Sequence, residues 1–280
     1  MLTNKIVMAE VRMNREIAPG VYHLQMLVEK ETAAAARPGQ FLNVYPEAGS
    51  RLILPRPFGI CSADPDAGTL EIVYEVVGRG TEILSAAGEG TLLKIAAPLG
   101  RGFDTESLKS LRTNDARPPV LIGGGVGCGP MLFLARTLQR EQVPVTAVLG
   151  FRDRPFLVRE FREAGCTLLT ASETEQEGIF SGNVIDCMTA AGLSAPAYFA
   201  CGPRGMLAAV DAYVSADCGD EFLQVSLEER MGCGYGVCVG CSTRIREYGE
   251  NGQLQTVRRK ICTDGPVFRG NEVIWDDGTR

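Results

Sequence analysis

Residues 119–131 read Pro-Val-Leu-Ile-Gly-Gly-Gly-Val-Gly-Cys-Gly-Pro-Met, and Leu132–Arg140, which follows, has the pattern of a helix. An apolar strand that runs through a glycine turn into a helix can hold a pyrophosphate, because backbone N–H groups at the helix start point at the anion. The Rossmann fingerprint is matched imperfectly, since Cys128 stands where a third glycine or alanine is expected and no acidic residue for the ribose is evident. A tight turn without a ligand is the alternative. The turn residues predicted to bind a dinucleotide are Gly123, Gly124, Gly125, Val126 and Gly127.

The alternation of strand and helix continues beyond this turn. It predicts a parallel, doubly wound α/β sheet, which we assign to residues 119–222. A second turn of Cys201, Gly202 and Pro203 ends a strand at the same edge of the sheet, so the two turns predict a ligand cleft. The predicted strands are Val145–Phe151, Cys166–Ala171 and Ala197–Cys201, and the predicted helices are Arg159–Ala164, Val184–Ala191 and Met206–Val214.

The first 103 residues have a different pattern. Short runs rich in Val, Ile, Leu and Tyr alternate with Gly and Pro turns, which predicts an antiparallel β-barrel or sandwich over residues 1–103. The polar residues 104–118 contain a Pro-Pro pair and are predicted to form a linker. The predicted strands are Val21–Val28, Phe41–Tyr45, Leu70–Val77 and Leu92–Ala96.

Two short segments of the β domain have features of an anion site. Arg56 precedes Pro57, and its planar guanidinium could hold a phosphate while the proline fixes the backbone beside it. A β-turn with a solvated arginine is the alternative. Gly80 and Thr81 end a strand and precede a helix predicted over Glu82–Ala87, so they offer backbone donors to an anionic cofactor.

The C-terminal residues 223–280 contain the most specific motif. Cys233, Cys238 and Cys241 have the spacing Cys-x4-Cys-x2-Cys, and Cys262 follows after a loop. This is the plant-type [2Fe–2S] spacing. Glycines between the cysteines would let the loop wrap a cluster with N–H groups directed at its sulfurs. Structural zinc is the alternative, although zinc sites usually have two Cys-x2-Cys pairs and only one is present.

Composition restricts the class of protein. The chain has 280 residues, of which 45% are hydrophobic and 22% charged, as in soluble globular proteins. A net charge of −6 without a basic cluster argues against nucleic acid, and no apolar run is long enough for a membrane span. Ten cysteines without a secretory signal predict reduced thiols and a cytoplasmic protein. With His23 as the only histidine, catalytic triad chemistry is not expected.

The order of these motifs resembles the ferredoxin-reductase superfamily. Within it, residues 229–233 (Glu-Arg-Met-Gly-Cys) and 262–268 (Cys-Thr-Asp-Gly-Pro-Val-Phe) are most similar to the electron-transfer subunits of type B dihydroorotate dehydrogenase. The resemblance covers essentially the whole chain. It implies a flavin-binding barrel, a dinucleotide-binding α/β domain and a small [2Fe–2S] module, with FAD, a [2Fe–2S] cluster and NAD(H) as cofactors.

The resemblance also implies a role for each motif. Cys233, Cys238, Cys241 and Cys262 match the cluster ligands, and Cys201 is expected near the nicotinamide ring. The residues that match the FAD site are Arg56, Pro57, Phe58 and Gly59, with Val73, Tyr74 and Glu75 on the adjoining strand and Gly80 and Thr81 at the pyrophosphate.

The function that the resemblance implies divides the chemistry among the cofactors. Hydride passes between NAD(H) and FAD, which exchanges single electrons with the cluster, so no catalytic side chain is predicted. The implied partner is an FMN-containing catalytic subunit that converts dihydroorotate to orotate in pyrimidine synthesis, within a heterotetramer. Two departures stand out. Gly59 replaces a residue that usually carries a hydroxyl for flavin N5, and the long loop between Cys241 and Cys262 predicts an extra hairpin.

Two alternatives stay open. A subunit of a sulfide dehydrogenase or of an NADPH–ferredoxin oxidoreductase would share the FAD and nicotinamide domains, but a carboxylate is expected there at the first cluster ligand, where this chain has Cys233. A zinc-stapled or redox-sensing module without turnover belongs to another class. Arg152 and Arg154 follow the second strand of the α/β domain, where a 2′-phosphate could bind, although the resemblance favours NAD.

Overall fold

Six antiparallel strands close into a barrel in the N-terminal part of the chain. The structure is a computed structural model, and it describes residues 5–46, 52–108, 117–218, 222–249 and 251–275. The strands are β1 (Lys5–Ala18), β2 (Val21–Leu27), β3 (Phe41–Val44), β4 (Arg56–Asp64), β5 (Thr69–Glu75) and β6 (Leu92–Leu99). They pair in the order β1-β2-β5-β4-β3-β6. The prediction of an antiparallel β-barrel is therefore confirmed.

Some barrel elements differ from the prediction. Strand β1 was not predicted from the sequence, because its Ile6 and Met8 are more than half exposed and its apolar residues do not mark a single buried face. Strand β4 was not predicted either, because Pro57 and Gly59 interrupt the apolar run there. Two short helices are α1 (Lys30–Ala35) and α2 (Arg79–Ser85), and α2 begins three residues before the predicted start.

Residues on β3 alternate between two cores. Leu42 and Val44 are buried inside the barrel. Successive side chains of a strand point to opposite faces, so Phe41 and Asn43 lie on the outer face. Phe41 packs there in a second core, which also contains Cys262. The outer face of β3 is therefore covered by the C-terminal part of the chain.

A seven-stranded sheet forms the second domain. Its strands are β7 (Val120–Gly124), β8 (Thr146–Phe151), β9 (Thr167–Ser172), β10 (Phe180–Ser181), β11 (Ala197–Cys201), β12 (Phe222–Ser226) and, from the C-terminal segment, β15 (Val267–Arg269). The order is β10-β9-β8-β7-β11-β12-β15, and every pairing is parallel except that of β12 with β15. This confirms the predicted doubly wound α/β architecture.

The helices of this domain are close to the predicted ones. They are α3 (Cys128–Arg140), α4 (Val158–Glu163), α5 (Val184–Ala190) and α6 (Arg204–Cys218). The largest differences are at α6, which begins two residues before and ends four residues after the predicted Met206–Val214, and at α3, which begins four residues before the predicted Leu132. Pro130 lies in its first turn, where a missing N–H leaves no intrahelical hydrogen bond unmade.

Strand β12 crosses the boundary drawn between residues 222 and 223. It continues the parallel sheet beside β11, with Leu223 and Val225 buried, and β15 then pairs with its other edge. Physically, the α/β domain extends to residue 226, and the C-terminal module begins after it.

The loop between Cys241 and Cys262 forms the expected hairpin. Its strands are β13 (Ser242–Tyr248) and β14 (Leu254–Lys260), which pair antiparallel. Ile245 on β13 and Ile261 after β14 are buried in the core shared with Phe41. The extra residues are therefore a packed element of the module.

Part of the predicted linker is attached to the α/β domain. The N–H of Asp104 donates to Oε1 of Gln224 at 2.9 Å, and Nε2 of Gln224 donates to the Asp104 carbonyl at 3.1 Å. Leu108 is 1% exposed and packs in the α/β core. Residues 109–116 of the predicted linker lie outside the described residues.

The described cysteine side chains are all free thiols. They are Cys61, Cys128, Cys166, Cys187, Cys201, Cys233, Cys238, Cys241 and Cys262. Among the helices that the structure describes, none is both long and apolar enough to cross a membrane.

His23 has a structural partner on the neighbouring strand. Its Nε2 lies 2.9 Å from Oε2 of Glu71, and Nε2 of Gln25 donates to the other carboxylate oxygen at 2.8 Å. Burial would raise the pKa of Glu71, but these two hydrogen bonds and the charges of His23 and Arg136 hold it below its usual value.

We predict that Glu71→Gln lowers the free energy of unfolding at pH 7 by about 1–3 kcal/mol, because it replaces a buried carboxylate that accepts two hydrogen bonds by an amide whose single oxygen can accept only one of them. A carboxylate whose pKa is lowered by folding stabilises the fold above its ordinary pKa, and that contribution is lost as the pH falls through the lowered value. The deficit should therefore shrink below about pH 4. Urea denaturation at both pH values measures it.

Glu163→Gln is the matched control, since Glu163 pairs with Arg159 on the exposed surface of α4. Exposed pairs contribute little, so this variant should stay within about 0.5 kcal/mol of the parent. Equal stability of the Glu71→Gln variant and the parent at pH 7 would show that the His23 contact does not stabilise the barrel.

Candidate cofactor sites

Arg56 and Gly80 meet at the start of α2. A Cβ on Gly80 would collide with the Arg56 side chain, so glycine lets the guanidinium lie directly over the helix start. Oγ1 of Thr81 accepts from the N–H of Val77 at 3.0 Å and donates to the carbonyl of Gly78 at 3.0 Å. The Arg56 guanidinium thus lies beside the backbone N–H groups at the start of α2, an arrangement suited to a phosphate. The Thr81 hydroxyl stabilises the turn before the helix.

The predicted flavin motif lies where two strands of the barrel stop pairing. β4 and β5 pair from Asp64 opposite Thr69 to Ile60 opposite Ile72. Before Ile60, β4 pairs with β3, and after Ile72, β5 pairs with β2. Among the described residues no β4–β5 pairing extends further, which leaves a strand edge at Gly59 for a ligand.

The side chains beside this gap mostly serve the barrel. Phe58 and Tyr74 pack 5.6 Å apart between ring centroids, and the Tyr74 hydroxyl donates to Oδ1 of Asn14 at 3.0 Å. Burial raises the pKa of Tyr74 to about 12. Val73 is buried against the α/β domain, and Glu75 is exposed. Contacts from Val73 and Tyr74 to a flavin would therefore come from their backbone.

Gly59 has a packing role that accounts for its departure from the expected hydroxyl residue. A Cβ at this position would lie 2.6 Å from Cγ of Pro130 in the first turn of α3. Real Cβ atoms do not come so close, so serine would force the barrel and the α/β domain apart. Pro57 occupies the same outer face two residues earlier, since side chains alternate along β4.

The two glycine turns of the α/β domain touch each other. A Cβ on Gly127 would collide with the carbonyl of Cys201, and a Cβ on Gly202 would lie 3.1 Å from Cα of Gly124. These glycines are thus needed for packing whether or not a ligand binds. Gly125 differs, because it has φ +54° and open space around its Cα, which leaves its backbone accessible.

The remaining residues of these turns are held by buried neighbours. The Cys128 thiol fills the space next to Gly123, since a Cβ on Gly123 would lie 2.9 Å from Sγ of Cys128. Burial raises the pKa of both Cys128 and Cys201, so both thiols are protonated at neutral pH. Val126 is partly buried, and Pro203 lies against Gly124.

The sequence analysis missed three residues that shape these sites. Pro130 packs against Gly59, and Met206 lies over Gly124 and Gly202. A run of glycines signals that bulky neighbours approach the backbone, but it does not identify them. The third residue, Asn43, is a lone polar residue in an apolar strand, a signal that the sequence did carry.

The cysteine loop turns its own N–H groups onto its sulfurs. The N–H of Tyr235 donates to Sγ of Cys233 at 3.3 Å, and the N–H of Cys238 donates to the same sulfur at 3.5 Å. Burial would raise the pKa of Cys233, but these backbone hydrogen bonds lower it to about 6. Gly234 and Gly236 both have φ +78°, which lets the loop curl in this way.

The four cysteines are arranged as two pairs. The N–H of Cys262 donates to Sγ of Cys241 at 3.5 Å, as the N–H of Cys238 does to Cys233. Across the described residues, no three His, Cys, Asp or Glu side chains are grouped as ligands of a single metal ion. Two thiol pairs with N–H groups on their sulfurs suit the two irons of a [2Fe–2S] cluster, which takes four thiolates.

We predict that Gly59→Ser destabilises the protein by about 1–3 kcal/mol, as overpacking does, and weakens flavin retention. The double variant Gly59→Ser/Pro130→Ala should recover most of both losses, because it removes the ring that the serine would meet. Thermal unfolding and the flavin absorbance after gel filtration measure the two effects. A double variant no better than Gly59→Ser alone would contradict the contact.

We predict that Gly127→Ala costs more stability than Gly205→Ala. At Gly127 the obstacle is the backbone of Cys201, which cannot rotate away. Gly205, in the first turn of α6, has open space around its Cα, and alanine there should be neutral or stabilise by up to about 1 kcal/mol. Urea denaturation of both variants tests this, and equal effects would refute it.

Comparisons with known proteins identify what the chain and its C-terminal module are similar to. The family model for the iron-sulfur cluster binding domain of dihydroorotate dehydrogenase B matches residues 228–274. Among solved structures, an NADH-dependent reduced ferredoxin-NADP oxidoreductase studied for flavin-based electron bifurcation is similar with a TM-score of 0.79 and 26% identity, over 97% of this chain and 91% of that one. The cytochrome P450 reductase GcoB of Amycolatopsis shares the fold, with a TM-score of 0.61 and 19% identity over 79% of this chain and 71% of that one.

Curated relatives extend the match to nearly the whole chain. The electron transfer subunit of dihydroorotate dehydrogenase B (NAD(+)) from Geobacillus sp. (strain WCH70) is 35% identical over 93% of this chain and 95% of its own. The subunit of the same name from Shouchella clausii (strain KSM-K16) is 34% identical over 92% and 94%. Identity at this level over more than nine-tenths of both chains confirms the resemblance, and the chain belongs to the family of electron transfer subunits of NAD(+)-dependent dihydroorotate dehydrogenase B.

Proposed function

We propose that this chain transfers electrons from an FMN-containing subunit that oxidises dihydroorotate, through a [2Fe–2S] cluster and FAD, to NAD⁺ in pyrimidine biosynthesis. It does so as the electron-transfer subunit of a heterotetramer and does not oxidise dihydroorotate alone. Its relatives carry the name of such a subunit, and the iron-sulfur family model matches its C-terminal module.

One observation carries the proposal: three candidate sites lie side by side on the outer face of the barrel. Gly59 of β4 touches Pro130 at the start of the dinucleotide helix. Asn43 of β3, opposite Pro57 of β4 in the ladder, touches Gly234 of the cysteine loop. Strand β4, which carries the proposed flavin motif, therefore lies between the dinucleotide cleft and the cysteine loop. A flavin in this position could exchange two electrons with nicotinamide on one side and single electrons with a cluster on the other.

Within the flavin site, the backbone edges of the β4–β5 gap would hold the ring system, and Arg56 with the start of α2 would hold the pyrophosphate. Because Gly80 has no side chain, the Arg56 guanidinium lies against the start of α2, which supports its assignment to the pyrophosphate. The proposed flavin residues are Arg56, Pro57, Phe58, Gly59, Val73, Tyr74, Glu75, Gly80 and Thr81.

In the dinucleotide cleft, the open backbone at Gly125 would face the ligand, and the buried, protonated thiol of Cys201 would border the nicotinamide without adding charge. The proposed residues are Gly123, Gly124, Gly125, Val126, Gly127, Cys201, Gly202 and Pro203. When bound, FAD accepts hydride from or returns it to nicotinamide and exchanges single electrons with the cluster.

Cys233, Cys238, Cys241 and Cys262 are the proposed cluster ligands, and the module that holds them begins after residue 226. We place the protein in the cytoplasm, because thiolate ligands must stay reduced before the cluster is inserted.

A second candidate function is that of a subunit of a ferredoxin–NADP oxidoreductase. The solved structure with a TM-score of 0.79 has that name and favours it. Cys233 favours the first candidate, since a carboxylate is expected at this position in that group.

The deciding experiment is anaerobic purification followed by absorption spectra, iron analysis and titration with NADH and, separately, NADPH. Flavin and red-brown cluster absorption that both bleach with NADH are expected. Dihydroorotate with a separately purified FMN catalytic subunit should then reduce NAD⁺, whereas reduced ferredoxin should not. Zinc without iron, or bleaching by NADPH and ferredoxin alone, would contradict the proposal.

We predict that Cys238→Ala removes the iron and the electron paramagnetic resonance signal of the reduced cluster while FAD stays bound. Cys238 is exposed, so its truncation leaves no cavity that would unfold the barrel. Cys166→Ser, on the far side of the α/β domain, is the control and should keep iron at the parent level. Full iron content in the Cys238→Ala variant would exclude Cys238 as a ligand.

A further inference from the structure

Asn43 is a buried polar residue with no partner among the residues that the structure describes. It is 0% exposed, and neither Nδ2 nor Oδ1 makes a hydrogen bond to that part of the chain. A buried amide that gives up water without gaining a partner costs free energy, and native proteins rarely keep one without a reason. The amide therefore points to a ligand that would satisfy it.

The strand register fixes the direction of this amide. Leu42 and Val44, on either side of Asn43, fill the barrel interior. Asn43 shares the outer face with Phe41, which packs in the core that contains Cys241 and Cys262. The amide thus points out of the barrel and into the region of the cysteine loop.

A direct contact identifies the segment that it meets. A Cβ on Gly234 would collide with Nδ2 of Asn43, and Gly234 itself is buried. Glycine at this position lets the amide reach the loop one residue after Cys233. An apolar side chain lies on the other side of this contact: Cδ1 of Leu99 would be 3.3 Å from a Cβ on Gly234.

The Cys233 sulfur lies next to this contact in the chain. The N–H groups of Tyr235 and Cys238 both donate to it, so the loop directs donors at this sulfur. Because Gly234 directly follows Cys233, Nδ2 of Asn43 lies in the same region. A sulfur there would give Nδ2 the acceptor that the described residues do not supply.

We propose that Asn43 is a positioning residue for the iron–sulfur cluster, and that its amide donates an N–H···S hydrogen bond at the Cys233 end of the cluster loop. This inference rests on the proposed cluster. Hydrogen bonds to cluster sulfurs favour the reduced, more negatively charged state and so raise its reduction potential. Asn43 lies beside the flavin strand, so it sets the potential where electrons would pass between FAD and the cluster.

The test is Asn43→Leu in the full-length, cofactor-loaded protein. Leucine has nearly the shape of asparagine and has no polar atoms, so the fold and the iron content should be kept. A redox titration followed by electron paramagnetic resonance gives the cluster potential, and flavin absorbance in the same titration gives the FAD potential. We expect the cluster potential to fall and the FAD potential to stay.

Two further variants complete the design. Asn43→Asp replaces the NH2 donor by an acidic oxygen, and it should lower the cluster potential more than leucine does. Gln25→Leu removes a polar side chain from β2, which does not contact the cluster loop, and it should leave both potentials at parent values.

Three results would overturn the inference. An unchanged cluster potential with higher thermal stability in Asn43→Leu would mark Asn43 as an unsatisfied amide only. A shift of the FAD potential alone would make flavin its partner. A parent protein that binds no cluster would refute the proposed function itself, whereas the first two results would leave that function intact.

Discussion

The proposed path for electrons depends on close backbone contacts between three parts of the chain. At Gly59 the barrel meets Pro130 of the α/β domain, at Gly127 the first glycine turn meets the carbonyl of Cys201, and at Gly234 the cysteine loop meets Asn43. A side chain at any of the three would push its neighbour away. Interiors are packed too tightly to absorb such a shift without strain. These glycines therefore keep the candidate sites adjacent, and the distances between bound cofactors would depend on these contacts.

Burial gives the thiols of these sites different chemistry. Burial raises the pKa of Cys61, Cys128 and Cys201, which are therefore neutral and inert as packing groups. Among the described cysteines whose titration is perturbed, only Cys233 has a lowered pKa, because hydrogen bonds from backbone N–H groups and from the Cys238 side chain stabilise its charged form. Burial raises the pKa of Cys262, another proposed ligand, to about 12. The loop therefore favours a thiolate at Cys233 in particular.

The sequence predicted the architecture well because its signals were local. Strand and helix alternation located the α/β elements, and cysteine spacing located the cluster module. The predictions were wrong or incomplete where a distant contact decided the outcome. Pro57 and Gly59 interrupt an apolar run, so no strand was predicted there, but they lie within β4 because this segment pairs with β3. Residue 222 looked like the end of a domain but lies at the start of β12. The assignment of individual flavin and dinucleotide residues stays a prediction, since spacing alone does not say whether a glycine faces a ligand or a neighbouring turn.

The C-terminal module is held in place from both ends, which explains why its long loop is tolerated. The chain leaves the sheet after β12, forms the cysteine loop and the β13–β14 hairpin, and returns as β15 to pair with β12. The N–H of Leu227 donates to the carbonyl of Pro266 at 2.9 Å, and the N–H of Ile261 donates to that of Cys241 at 3.0 Å. These bonds close the segment near its base. Extending a loop whose ends are already fixed adds little entropy cost. The position of the cysteines is thus set by the sheet and the barrel, and the hairpin can vary in length without moving them.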